Sequence, residues 1–443
     1  MRIAYCVLCV ALLAFITFPI AQGGAASDPF AEEVVAIKAQ RIETVSQGVI
    51  ENGVIVIRNG KIAAVGKDAK IPVGAKVLEA RVVMPGIVGV YSQIGLSRDA
   101  PTVVPPIGGG RFGGRFGGGG GEGGAASNPH FRVMDELYPF DENYERLLKA
   151  GVTTLGLVPP GRGINGQGAV IRLSGETAEK MAIVPNAPLT VGFAANTPTQ
   201  NLIRLAFDSA RGGGGPSARP SGAGGATMSD DFTADEDLAI QRRQLPGRPP
   251  FARPPAATGS LEARREPMAR AVNGDIPTFI SCSDPAALLY ALKLFQPYDK
   301  LKPVFVLTSD CYRVAEPLGQ KKASVVLSAD LAFEPNTRNR LNVPAILAKA
   351  GAKVACRPPT DDVEGYQSLL FKMGELVKAG LDRDTALKAI TLHPAEMLNV
   401  ANRVGSIEVG RDGNLILLDG DPLDTMTKVE RVVLEGKVMH DEK

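Results

Sequence analysis

The side chains best suited to chemistry in this 443-residue chain are few and far apart. There are three histidines, His130, His393 and His440, so chemistry that needs a cluster of imidazoles is close to excluded. His393 stands before Pro394 at a helix start, where a capping role is expected. His440 lies in the C-terminal tail. His130 closes a glycine-rich stretch, which makes it a loop residue or, as the alternative, a lone ligand or acid/base group. Cys282, Cys311 and Cys356 follow strand-like runs, and three thiolates at one place could bind zinc. Cys282 alternates with Ser281 and Ser283, however, so if the serines face inward the thiol faces outward; buried free cysteine is common in cores. Asp284, Asp310, Asp361, Asp362 and Glu364 also follow strand-like runs, and a carboxylate pair there could do general acid/base work. Ser283-Asp284-Pro285 reads instead as a helix N-cap, and the 359–364 run as a solvated helix start.

These residues need elements to position them. Residues 33–84 read as short strands and tight turns, with Asn59-Gly60 as a two-residue hairpin signal. Residues 405–443 have the same texture, with apolar strands at Leu415–Leu418 and Val429–Leu434. Neither end buries much surface alone, so the two are expected to pack together, 30–84 with 402–443, as one discontinuous β-sandwich domain. The middle, 85–401, alternates strands (Val152–Val158, Thr278–Ser281, Val304–Leu307, Ser324–Leu327, Lys353–Cys356) with helices (Glu142–Ala150, Pro285–Leu294, Val343–Ala350, Tyr366–Ala379, Arg383–Thr391). That alternation implies parallel βα units. Two low-complexity inserts interrupt it. Residues 106–127 hold twelve glycines, and residues 209–260 are rich in Gly, Pro, Ser and Arg; both compositions predict flexible segments. The rest of the middle matches an eight-stranded βα barrel in length. The fold class expected is therefore α/β: a (βα)8 TIM-like barrel plus a small composite β domain formed by both chain ends.

Composition narrows the function. Lys and Arg total 49 against 47 Asp and Glu, a near-balance that argues against a nucleic-acid partner. Arg2, the uncharged and mostly apolar run from Ile3 to Ile20, and the small residues after it match a secretory signal peptide over 1–26, with an uncleaved membrane anchor as the alternative. A periplasmic or secreted location follows, with no membrane contact beyond that segment.

Several segments together resemble the metal-dependent amidohydrolase superfamily, in particular secreted imidazolonepropionase-like amidohydrolases. They are Gly53–Gly66 with Ile71-Pro72-Val73-Gly74-Ala75; Val83-Met84-Pro85-Gly86-Ile87-Val88; Ala150-Gly151-Val152-Thr153-Thr154 with Gly166-Gln167-Gly168; Ala379-Gly380-Leu381 with Ala386–Ala395; and Gly405–Asp412 with Leu417–Leu423. The resemblance implies a βα barrel plus a small β domain from both chain ends. It also implies hydrolysis of C–N bonds with one or two divalent ions, such as zinc, at the C-terminal mouth of the barrel. In that family the first barrel strand ends Pro-Gly-hydrophobic-Ile-Asp-x-His-x-His. Here Gly89 stands for the aspartate, and Tyr91 and Gln93 for the two histidines. Ser281 and Ser283 stand for a second His-x-His, and Leu307 or its neighbour for the histidine of a further strand. Thr190 falls near the metal-bridging lysine. Asp361, with Asp362 beside it, is the possible remnant of the final-strand aspartate.

The expected function is an exported amidohydrolase-family protein without a functional metal centre or other cofactor. It would act as a pseudoenzyme that binds a small ligand or a catalytically competent relative at the old mouth, and an oligomer is possible. The alternative is an active hydrolase of non-peptide or dipeptide C–N bonds, using an unrecognised metal site around Asp361 and His130.

Overall fold

In a computed structural model, the residues described are 34–96, 126–211 and 261–442. The signal segment expected over 1–26 lies outside them, as does most of the two inserts, 106–127 and 209–260.

The chain ends build one seven-stranded sheet. Asn59 (φ 49°) and Gly60 (φ 79°) are both left-handed, the backbone of a type I′ turn, and they join Val49–Arg58 to Lys61–Gly66. Val34–Glu43 pairs antiparallel with Val49–Arg58 and parallel with Lys76–Pro85. On the other edge of Lys76–Pro85 lies Leu415–Leu418, followed outward by Val429–Leu434 and Lys437–Asp441. Because Lys76–Pro85 is the shared neighbour of both chain ends, hydrogen bonding is continuous. The expected sandwich is thus a single sheet that curls on itself. The Ile62 N–H donates to the Arg411 carbonyl at 2.8 Å, and the Gly410 N–H donates to the Ile62 carbonyl at 2.8 Å. Ile37, Ile42, Ile55, Ile57, Leu417 and Val433 fill the curl.

Only Gly86 separates Lys76–Pro85 from the first barrel strand, Ile87–Ser92; any Cβ there would collide with the Thr153 side chain. The other parallel barrel strands are Val152–Leu157, Leu189–Phe193, Thr278–Cys282, Pro303–Leu307, Ser324–Ser328 and Lys353–Arg357. Between Val152–Leu157 and Leu189–Phe193 runs an antiparallel stave in two halves. Ala169–Arg172 pairs with the former and Gly163–Gln167 with the latter. This stave completes the ring of eight. Its halves meet at Gly168, where a Cβ would run into the Leu157 carbonyl. The last strand, Lys353–Arg357, packs against the first, with no ladder between them among the described residues.

Alternation along the strands separates two layers. Val88, Val90, Val170, Phe279, Val304, Val306, Val326 and Ala355 fill the ring, with Met397, Leu398 and Val400 closing its floor. The interior is packed rather than open. Outside stand helices whose starts are capped as their sequences suggest: Asp284, Asn342, Asp362 and Asp382 each accept an N–H three residues on.

His393 lies in the helix Leu392–Met397, and its Nδ1 is 2.7 Å from the Val354 carbonyl oxygen. Nδ1–H donates to that carbonyl, tying the helix to the last barrel strand. Burial holds the imidazole pKa below its ordinary 6.5. The folded state therefore binds fewer protons at this site than the unfolded state, and stability is lost as pH falls through 6.5 and below. Denaturation midpoints measured across pH 5–8 should show that loss, and His393→Gln should flatten it; an unchanged pH profile in the variant would count against the assignment.

Candidate functional site at the barrel mouth

The inward face continues upward from Phe279, Val306, Val326 and Ala355 to Ser281, Thr308, Ser328 and Arg357 at the strand ends, since inward positions recur every second residue. On the first strand an irregularity between Gly89 and Ser92 breaks the alternation. Tyr91 therefore also packs on the inner layer, its ring stacked on Phe279 at 6.2 Å between centroids. Burial raises the Tyr91 pKa above its ordinary value, with Arg357 opposing that shift.

Asp361 lies over the seam between the last strand and the first. Its Oδ1 accepts the Ser92 hydroxyl at 2.8 Å, and its Oδ2 accepts the Gln93 backbone N–H at 2.7 Å. The crowding of protein around the carboxylate raises its pKa; Ser92, the Gln93 amide and Arg357 pull it back. The residue as a whole is nonetheless exposed to solvent. The carboxylate of the expected remnant ligand thus serves as a strap across a seam that no ladder closes. Tyr366, fully buried, stands behind it, its hydroxyl near Gly89 and its pKa raised by burial and by Asp361.

Arg357 is the prominent cation here. It is half-buried, and its Nε is enclosed without a hydrogen-bond partner. It borders a cavity of about 300 Å³ over the ends of three neighbouring strands, lined also by Thr308, Ser309, Ser328, Asp330 and Val343.

The other residues singled out in the sequence fall as follows. Leu307 belongs to the helix-side layer, so the inward positions of its strand are Val306 and Thr308. That corrects the placement of a lost ligand at Leu307, and the reason is strand parity. Thr190 is fully buried and lies on the inward face, its hydroxyl unpartnered, between Leu189 and Val191 of the outer layer. Ser283 donates to Asp284 at 2.9 Å just past its strand, and Asp284 caps the next helix. Gln93 is exposed, and its backbone rather than its side chain meets Asp361. Glu364 pairs with Arg146 at 2.8 Å. Asp310 is exposed in the turn Ser309–Val314. His130 is exposed in a turn, and His440 sits in the edge strand opposite Val432. Cys282, Cys311 and Cys356 are buried free thiols of the outer layer; burial pushes the Cys356 pKa up to about 12, which disfavours a thiolate. Sequence reasoning missed Ser92, Arg357 and Tyr366. Arg357 alone carried a signal: a charge at the end of an apolar strand, in phase with Ala355.

Residues 336–439 match the amidohydrolase family model. Among solved structures, an amidohydrolase from Thermotoga maritima MSB8 superposes with a TM-score of 0.68 at 21% identity, covering 92% of this chain and 100% of that one. The chain has an amidohydrolase fold. Another amidohydrolase structure superposes with a TM-score of 0.50 at 12% identity, covering 92% of this chain and 99% of that one. A search of the curated proteins finds no match.

Amidohydrolases of the resembled kind hold a divalent ion at this mouth, and the donor set here can be tested for it. Zinc wants three or four imidazole, thiolate or carboxylate ligands. The mouth of this barrel presents a phenol, aliphatic hydroxyls, a guanidinium and two separated carboxylates, Asp361 held by Ser92 and the Gln93 amide and Asp330 paired with Lys372. Among the described residues no three His, Cys, Asp or Glu side chains are grouped closely enough to share an ion. These residues do not fit a divalent metal.

Proposed function

We propose that this chain is an exported amidohydrolase-family barrel that has exchanged catalysis for binding, and that it takes up a small ligand, or a catalytically competent relative, at its mouth. The observation that carries this reading is Asp361. Its two oxygens are held by Ser92 and by the Gln93 amide, and the charge of the Arg357 guanidinium, rather than any imidazole, acts on it. A cation at this place would meet a positive charge and one committed carboxylate, which disfavours it electrostatically. Export is supported by Arg2 and the apolar Ile3–Ile20 run.

The test is metal content. Residues 27–443, produced with added zinc and manganese and purified without chelator, should hold far less than one ion per chain. They should not hydrolyse dipeptides or cyclic amides in a chelator-sensitive way. Stoichiometric metal with such activity would establish the opposite reading, a working hydrolase of C–N bonds.

A further inference from the structure

We infer that the mouth cavity binds a small monocarboxylate with an apolar tail, its carboxylate on Arg357. This rests on reading the mouth as a binding site. Three observations carry it.

The first is an incomplete partnership. A guanidinium offers five donors in a planar fork, and a buried donor left unmade is costly. Arg357 has an enclosed, unpartnered Nε that solvent does not reach, and among the described residues no carboxylate forms an ion pair with it, so a ligand would meet its terminal nitrogens. Asp361 is near enough to influence it but already accepts from Ser92 and Gln93. The second is charge balance. Asp330, the one acidic residue among the described residues lining the cavity, is paired at 3.2 Å with Lys372, which also pairs with Glu375 at 3.2 Å. Arg357 is therefore the one cation among the described residues lining the cavity, offset only at a distance by Asp361, whose two oxygens are already taken, and it offers an anion a guanidinium that no carboxylate shares. The third is the wall. Leu307, Leu327 and Val343 supply an apolar side, and Thr308, Ser309 and Ser328 a rim of hydroxyls. Few polar groups on an apolar wall is the usual make-up of a small-molecule pocket. At roughly 30 Å³ per water-sized group, about 300 Å³ takes on the order of ten non-hydrogen atoms. A bare inorganic anion would leave the apolar wall unused, whereas a carboxylate with a short aliphatic chain uses both.

Calorimetric titration of the wild-type protein with hexanoate, hexanamide and inorganic phosphate tests this without any variant. Hexanoate should bind saturably, at least tenfold more tightly than the isosteric hexanamide and than phosphate. Hydrogen exchange should slow with hexanoate at residues 307–309, 327–332 and 357. Arg357→Met should lose the hexanoate preference, and Arg357→Lys should recover it only in part, because an ammonium lacks the fork. Thr308→Val, on the exposed rim, serves as the milder variant should Arg357→Met unfold, and should weaken hexanoate binding by a few-fold. Equal binding of hexanoate and hexanamide, no saturable hexanoate binding, or protection elsewhere in the chain would overturn the assignment. Tighter phosphate binding would make the site an inorganic-anion site and overturn the carboxylate. The two readings fail differently. A metal-free chain that ignores hexanoate loses only the carboxylate assignment, whereas a metal-loaded chain whose hexanoate binding vanishes with chelator loses the non-catalytic reading itself.

Discussion

Introducing an aspartate by Gly89→Asp should destabilise the protein by about 3–5 kcal/mol and bring in no metal. A Cβ at residue 89 would lie 2.5 Å from Leu155 Cδ2 and 2.5 Å from the Tyr366 hydroxyl oxygen. Both neighbours belong to the helix-side layer, so the new carboxylate would be driven away from the mouth and into a packed apolar shell. Overpacking alone costs about 1–3 kcal/mol, and an uncompensated buried charge adds to it. The steric part can be isolated. Gly89→Ala should cost about 1–3 kcal/mol in the wild type and measurably less in a Tyr366→Phe background, because the nearest tyrosine atom is the one removed. A double-mutant cycle from urea denaturation reads that coupling. Additive effects, or a Gly89→Asp protein that is stable and metal-loaded, would mean that the position can still serve a metal site. The layer behind the mouth is packed around Gly89 by Leu155 and Tyr366 and leaves no room for a larger side chain there.

Glu43→Ala should cost about 3 kcal/mol, the larger part of it in the joint between the curled sheet and the barrel. Glu43 is almost fully buried. Its Oε1 lies 2.8 Å from Arg41 in the same strand and 2.8 Å from Arg383, at the start of a barrel helix. Arg383 also reaches Asp421, in the C-terminal segment, at 2.8 Å. Deleting the shared carboxylate leaves two guanidinium groups facing each other around a void with only Asp421 to divide between them. Removing one member of a buried pair is costly for that reason, even where the intact pair adds little. Glu43→Gln, which keeps the shape and loses the charge, should fall between the alanine variant and the wild type. Chemical denaturation read by far-ultraviolet circular dichroism gives the values, and a loss below about 1 kcal/mol, the scale of an exposed pair, would show that the network is solvated in practice.

The strands and helices were legible because their signals are local. Asn59-Gly60 demands a left-handed pair, Asp284-Pro285 and Asp362 announce helix starts, and apolar runs such as Leu415–Leu418 have no other use in a chain of this polarity. The lack of imidazole at the ends of Ile87–Ser92 and Thr278–Cys282 was equally legible, because it needs only residue identity. The stave at 163–172 was not. It is built from Gly163, Gly166 and Gly168 with few side chains to alternate, and it exists because both its halves find partners, Val152–Leu157 and Leu189–Phe193.

What the sequence determined by itself is the set of elements and the chemical poverty of the strand ends, since both depend on neighbours in the chain and on side-chain type. What only the tertiary structure decided is which side chains meet. Period-two alternation says that Leu307 and Thr308 face opposite ways but not which of them is on the ring's inward side; the packing of Val306 in the inner layer and of Phe305 and Leu307 in the outer one settles it. An irregularity in the first strand turns Tyr91 inward where strict alternation would not. Ser92 and Asp361 are separated by 269 residues, and only ring closure brings the hydroxyl to the carboxylate. That one contact makes Asp361 a strap across the seam, beside an Arg357 that no carboxylate among the described residues pairs.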